Sequence, residues 1–379
     1  MKKFLLALVV LPFTQNFAAA QGDAAAGKAY WDREAPRATA CRNCHGTNAE
    51  GAFGPDLAGR GLNVAQVVKA VREPWGIMPA FVESQLNDKD AADLTAYFAS
   101  LPKPAAPGLR IRRFAAGAWT ESPDAVVTEE PLQLLLDGEP LAVVMRTPGA
   151  DIELALGLLY AEGIIRSVAD VRGMRISAEA GESDEHIAVE AVLVESNQVD
   201  VKLAGKPRRK PERSMLSSSA CGVCGTQMIE DLRRDLAVLP GGPRFDPSMM
   251  PSLVEKLRSG QGVFDRTGGL HAAGLFNAGA DLLALREDVG RHNAVDKVVG
   301  RLLLDGRLPA SETLLVASGR AGYEIVQKSI GAGNPLLAAV GAPSSLAVAL
   351  AREFNQTLVG FLRGDRFNVY SGAERLTDS

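Results

Sequence analysis

A stiff proline-rich tract, Pro102-Lys103-Pro104-Ala105-Ala106-Pro107-Gly108, divides the 379-residue chain into two parts that have to fold separately. Its prolines favour extended backbone and remove amide donors that a helix or sheet would need. The reading is therefore a compact segment at 21–101, a linker at 102–108 and a longer segment at 109–379, each able to bury a core of its own.

The first twenty residues form a third element. Lys2 and Lys3 supply a positive start, Phe4 to Leu11 an apolar run, and Ala18-Ala19-Ala20 a small-residue cleavage site, so 1–20 reads as a secretory signal peptide. The apolar run ends at Pro12, short of the ~20 apolar residues a spanning helix needs, and no other stretch reads as a membrane span. A net charge of -4 and 6% aromatic residues argue against a nucleic-acid partner, which calls for basic surface and stacking rings.

The four cysteines form two C-x-x-C pairs, Cys41 with Cys44 and Cys221 with Cys224. Loops that short cannot brace a fold of this length, so each pair reads as a chemical site. In Cys41-Arg42-Asn43-Cys44-His45 the two thiols have the spacing to add across haem vinyl groups, with an imidazole placed to reach the iron. A thioether commonly completes such a coordination sphere, and Met78 stands where it is expected. The segment resembles class I cytochromes c through Gly27-Lys28-Ala29-Tyr30, Gly54-Pro55-Asp56-Leu57 and a closing helix with Leu94, Tyr97 and Phe98. That resemblance implies an all-α domain, haem c held by Cys41 and Cys44, and His45 and Met78 as axial ligands.

The longer segment opens with a hairpin pattern, Leu132–Leu136, the turn pair Asp137-Gly138 and Leu141–Met145, followed by a helix at Asp151–Glu162. Strand patterns follow at Ile187–Val194 and Val199–Leu203. From Leu282 strands and helices alternate: Leu282–Arg286, His292–Leu304, Thr313–Ala317, Tyr323–Ile330, Leu336–Val340, Ser344–Phe354 and Thr357–Phe361. The alternation predicts an α/β sheet with much parallel pairing and ligands beyond the carboxyl ends of its strands. Turns at Gly319, Gly331 and Gly333 are expected beside helix N-termini, which suit phosphate oxygens.

Cys221 and Cys224 sit in Ser217-Ser218-Ser219-Ala220-Cys221-Gly222-Val223-Cys224-Gly225, after a basic stretch with Lys206 and Lys210. Neighbouring cations favour the thiolate, and a thiolate can take a sulfane sulfur as a persulfide. A zinc site (with His271 and His292 as spare imidazoles), a thioredoxin-type redox pair and a structural pair remain alternatives.

These residues, with Met145-Arg146-Thr147-Pro148, Glu162-Gly163-Ile164-Ile165, Thr267–Ala273, Glu287–Lys297, Ser318-Gly319-Arg320 and Tyr323–Lys328, resemble the FdhD family over about 110–377. Ala220 departs from many relatives, which carry cysteine there. The resemblance implies a sulfurtransferase that accepts sulfur from a cysteine desulfurase of the IscS type. It passes the sulfur to the molybdenum cofactor, bis-molybdopterin guanine dinucleotide, for formate dehydrogenase. On it, Cys221 carries the persulfide, Cys224 relays, and Phe361, Leu362, Arg363, Gly364, Asp365 and Arg366 contact the cofactor. It also implies a cytidine-deaminase-like C-terminal layer, without the deaminase zinc signature, and makes a second copy of the chain a candidate partner.

The two segments point to different compartments. The family role belongs in the cytoplasm, whereas the signal and the haem belong in the periplasm, where a C-x-x-C pair tends to oxidise. The alternative to a sulfur carrier is thus an exported c-type cytochrome with a molybdopterin-binding domain.

Overall fold

The computed structural model describes residues 22–33, 40–49, 56–74, 78–101, 108–177, 180–194, 196–209, 215–217 and 236–377. The described part of the N-terminal module is helical: α1 (Ala24–Asp32), α2 (Arg42–His45), α3 (Val64–Arg72) and α4 (Asp88–Ser100). Polar side chains set the helix starts. Asp23 accepts from the amides of Ala25 and Ala26, and Asn63 and Asn87 close capping boxes with Gln66 and Asp90. α1 meets α4 so closely that a Cβ on Gly27 would lie 2.0 Å from the Asp93 carbonyl oxygen. Trp31 meets Phe98 edge-on at 5.3 Å, in a core shared with Leu94 and Tyr97.

β1 (Gly108–Ala115) and β2 (Ala118–Ala125) form a two-stranded antiparallel hairpin, beginning at the last residue read as linker. The first lobe follows. β3 (Glu130–Leu136) and β4 (Glu139–Arg146) are joined at Asp137 and Gly138, both at positive φ as a tight hairpin turn requires. Then come α5 (Asp151–Ala161), β5 (Val171–Ser177), β6 (Val189–Leu193), β7 (Gln198–Leu203) and β8 (Met215–Ser217), in a sheet of order β6-β5-β7-β3-β4-β8. Arg208, within the basic stretch, donates to Asp170 and is held there.

The second lobe comprises α6 (Met250–Ser259), α7 (Gly262–Thr267), β9 (His271–Asn277), β10 (Leu282–Asp288), α8 (Arg291–Leu304), β11 (Thr313–Ala317) and α9 (Tyr323–Gly331). It is completed by β12 (Leu336–Ala339), α10 (Ser345–Glu353), β13 (Thr357–Arg363) and β14 (Arg366–Ser371). Its sheet runs β10-β9-β11-β12-β13-β14, and parallel pairing is confined to β11, β12 and β13. β9 enters antiparallel because the short turn at Ala280 folds it back on β10. The expected alternation of elements is present, with less parallel sheet than it implied. Two glycines are also corrected: Gly331 is the last residue of α9, and Gly333, at φ +83°, packs under Pro309 after that helix. Neither stands at a helix N-terminus.

The lobes are joined where α5 crosses α8. A Cβ on Gly157 would come within 1.9 Å of the Asp296 carbonyl oxygen, and one on Gly300 within 1.9 Å of the Glu153 carbonyl oxygen. The obstacle is backbone in both cases and cannot swing aside. Gly300→Ala is expected to lower stability by about 1–3 kcal/mol, the usual effect of forcing a methyl group into a filled contact, measured by urea unfolding.

Beside this crossing lies a buried polar joint. Asp288, fully buried, accepts from the Thr147 amide (3.2 Å), the Gly290 amide (2.8 Å) and Asn293 Nδ2 (2.9 Å), and pairs with Lys297 at 2.8 Å. Lys297 also donates to the Thr147 carbonyl and Asn293 to the Met145 carbonyl. The end of β4 is thereby tied to the start of α8.

Candidate functional site

In the N-terminal module, α2 carries the C-x-x-C-H motif. His45 is buried with its ring 6.4 Å from that of Trp31, while Cys41 and Cys44 are partly exposed. Cys41 and Met78 both pack against the module's apolar core. Burial pushes the Cys41 thiol up, favouring the protonated form. A buried imidazole, two partly buried thiols and a thioether on apolar packing fit the donor set of a c-type haem.

Cys221 and Cys224 lie outside the described residues. The nearest described residue upstream is Ser217, the last of β8, which runs parallel to β4 with Ser217 opposite Val144.

In the second lobe the carboxyl ends of the parallel strands form a cationic crevice. After β11 the chain turns through Ser318-Gly319-Arg320, with the Ser318 hydroxyl accepting from the Ala272 amide at 2.8 Å. After β12 the Gly341 amide donates to the Gly319 carbonyl at 2.9 Å, and the Phe361 amide donates to the Gly341 carbonyl at 3.1 Å. The strand-end backbones are thus stitched side by side. A Cβ on Gly341 would lie 2.9 Å from the Gly319 oxygen, so the close approach requires glycine there.

His271, the first residue of β9, and Arg291, the first of α8, flank this turn. A Cβ on Gly319 would touch His271 Nδ1 and Arg291 Cδ at 3.4 and 3.5 Å. Burial lowers the His271 pKa, and the nearby Arg291 and Arg320 guanidiniums lower it further, so the ring is neutral at pH 7. Arg291 Nε is buried and has no hydrogen-bond partner among the described residues. Buried guanidinium donors normally find an acceptor, and an anionic oxygen supplies one.

The six residues expected to contact a cofactor span the end of β13, a tight turn and the start of β14. Phe361 is 40% exposed and holds a left-handed φ of +54°, and Gly364 turns the chain at φ +55°. Arg363, Gly364, Asp365 and Arg366 are exposed, with Arg363 Nε donating to the Val340 carbonyl at 3.2 Å. Leu362 is different: its side chain is fully buried in the core behind the sheet. The crevice adds His271, Arg291, Arg320 and Gly341 to that stretch. The turn directly after strand Thr313–Ala317 signals only Arg320, whereas His271 begins β9, Arg291 begins α8 and Gly341 follows β12.

Comparison with known proteins fits this arrangement. Residues 127–377 match the model of the FdhD/NarQ family. The chain belongs to that family. Residues 22–98 match the family described as cytochrome C oxidase, cbb3-type, subunit III, so a cytochrome c-like module precedes the FdhD/NarQ module. The sulfur carrier protein FdhD of Streptomyces avermitilis is 45% identical over 273 residues, covering 70% of this chain and 94% of its own. That of Mycolicibacterium paratuberculosis is 46% identical over 275 residues, covering 70% and 97%. A crystal structure of a formate dehydrogenase accessory protein from Desulfotalea psychrophila shares the fold. Its TM-score is 0.58 at 24% identity, over 72% of this chain and all of the other.

Proposed function

We propose that the FdhD/NarQ module is a persulfide-carrying sulfurtransferase for formate dehydrogenase. On this reading Cys221 accepts a sulfane sulfur from a cysteine desulfurase of the IscS type, and Cys224 assists its relay. The cargo that receives the sulfur is the molybdenum cofactor, bis-molybdopterin guanine dinucleotide. The observation that carries the reading is the crevice, where cations converge on a glycine-lined turn around an unpartnered buried guanidinium donor. Diphosphate oxygens suit that setting, and Arg291, Arg320, Arg363 and Arg366 would hold them. The second-lobe sheet with α8, α9 and α10 is the layer we equate with a cytidine deaminase fold. The site of action is the cytoplasm.

The chemistry needs an accessible thiolate. Cys221 Sγ attacks the outer sulfur of the donor persulfide, the donor thiolate leaves with the bond's electron pair, and Cys221 holds the sulfur. Incubation with a desulfurase and cysteine is expected to add one sulfur atom at Cys221, read by mass spectrometry of the intact chain and its peptides. A Cys221→Ala chain that still restores formate dehydrogenase would sink the reading.

The cytochrome match at 22–98 favours a second reading, an exported electron carrier whose C-terminal module binds a molybdopterin-type ligand. It predicts red protein in the periplasm with the 221–224 pair oxidised. Fractionating cells and probing for the C-terminal module separates the two.

A further inference from the structure

The loop that leads into α3 is fixed to the core of the N-terminal module. The Leu57 and Ala58 amides donate to the Ala49 carbonyl at 2.8 and 3.0 Å, and the Gly59 amide donates to the Phe98 carbonyl at 2.8 Å. Gly59 and Gly61 turn the chain at φ +62° and +73°, and Arg60 stands between them. Its side chain leaves the module. Arg60 Nη1 and Nη2 donate to Oε1 and Oε2 of Glu130, the first residue of β3, at 2.9 and 2.8 Å. A parallel two-bond fork is the arrangement in which arginine recognises a carboxylate with both strength and direction. The two side chains are nearly out of solvent, 13% and 11% exposed. An exposed ion pair contributes little, whereas one shielded on this scale is much less screened by salt.

The receiving carboxylate is short of positive charge without Arg60. Glu130 and Asp151 face one guanidinium of their own lobe, that of Arg146, and Asp151 takes its two short bonds at 2.9 and 2.7 Å. Glu130 is left with a long one at 3.5 Å. A further acid, Glu182, accepts from the Asp151 and Ile152 amides. This corner of the first lobe therefore holds more carboxylates than cations among the described residues, and Arg60 brings a second positive charge to it. Burial on its own would push the Glu130 carboxyl up. The charge and bonds of Arg60, with smaller pulls from Arg146 and Asn197, hold it below the usual carboxylate range instead.

The contact does not have to be strong. The tract 102–107 joins the modules, and six residues reach at most about 20 Å. A tether that short keeps a detached partner at an effective concentration in the millimolar range, so a contact with a dissociation constant near ~1 mM already holds half the chains docked.

We propose that this corner of the first lobe is a dock for the cytochrome c-like module, latched by the fork between Arg60 and Glu130, so that in solution the two modules move as one body. The C-x-x-C-H motif on α2 then keeps one bearing on the FdhD/NarQ module. Through Arg146 the latch runs on to Asp151, the first residue of α5, so the docked module rests on the helix that crosses α8. The latch holds whichever reaction the FdhD/NarQ module performs.

Small-angle X-ray scattering of the full-length chain in about 0.15 M salt tests the dock. The wild-type chain should scatter as one compact body. Arg60→Ala frees the module to the reach of its tether and should raise the radius of gyration by roughly 2–3 Å. Glu130→Ala should give the same rise, and Arg60→Ala/Glu130→Ala no more than either, because all three break one contact. Arg60→Lys keeps the charge without the fork and should fall between. The single changes lie in different modules, so expansion from local unfolding would appear in one of them alone, and that result would overturn the latch. A wild-type chain already as expanded as the variants, or variants as compact as the wild type, would overturn it equally.

Discussion

Lys297→Met is expected to destabilise the FdhD/NarQ module by about 3–5 kcal/mol, the usual result of leaving one partner of a buried ion pair alone. Asp288 is fully buried and would keep its amide and Asn293 donors while losing the cation at 2.8 Å. The same change removes the bond from Lys297 to the Thr147 carbonyl, so β4 loses one of its ties to α8. The loss should appear as a lower urea midpoint for the module. Asp288→Asn/Lys297→Met should recover part of it, because no charge is then stranded. An unchanged midpoint in the single variant would show that the joint does not hold the lobes together.

The second large effect belongs to the crevice. Arg291→Met keeps much of the length and apolar stem of the side chain but deletes the guanidinium whose Nε is buried without a partner. A hydrogen bond to a charged group is worth about 1.5–3 kcal/mol, so binding of pyrophosphate, a minimal diphosphate probe, should weaken roughly 10–150-fold by calorimetry. Arg366→Met, on the exposed turn, should cost far less, since exposed charges are screened by solvent. Equal losses for the two variants would mean that the phosphate sits on the outer turn and not between the strand ends.

Much of this architecture was legible in the sequence, and the failures have physical causes. The buried strands Thr313–Ala317 and Leu336–Ala339 are short apolar runs between helices, and such runs announce themselves. The hairpin of β1 and β2 did not, because its described side chains are largely exposed and the alternation at Leu109-Arg110-Ile111-Arg112 is short and follows the proline tract directly. β14 was also hidden, being a short and mostly exposed edge strand. The antiparallel insertion of β9 between β10 and β11 is a pairing decision between distant segments, which local periodicity does not encode.

The site divides along the same line. The haem motif and the turn after β13 are contiguous stretches and could be named in advance. The crevice is not contiguous: His271, Arg291 and Arg320 meet only because three strand and helix ends converge. The pairing of Arg60 with Glu130 likewise joins the two modules across 70 positions. Each side chain alone reads as an ordinary surface charge, and only their shared burial gives the pair its character.

The crossing of α5 and α8 has a bearing on how the module can respond to a ligand. Where two helices touch through side chains, rotamers let them slide by small steps. Here carbonyl groups lie against Gly157 and Gly300, so the contact has no such slack. Sliding one lobe over the other would first have to part the helices. A ligand entering beside α8 therefore meets walls of constant separation, and adjustment falls to the exposed strand ends and turns around the crevice.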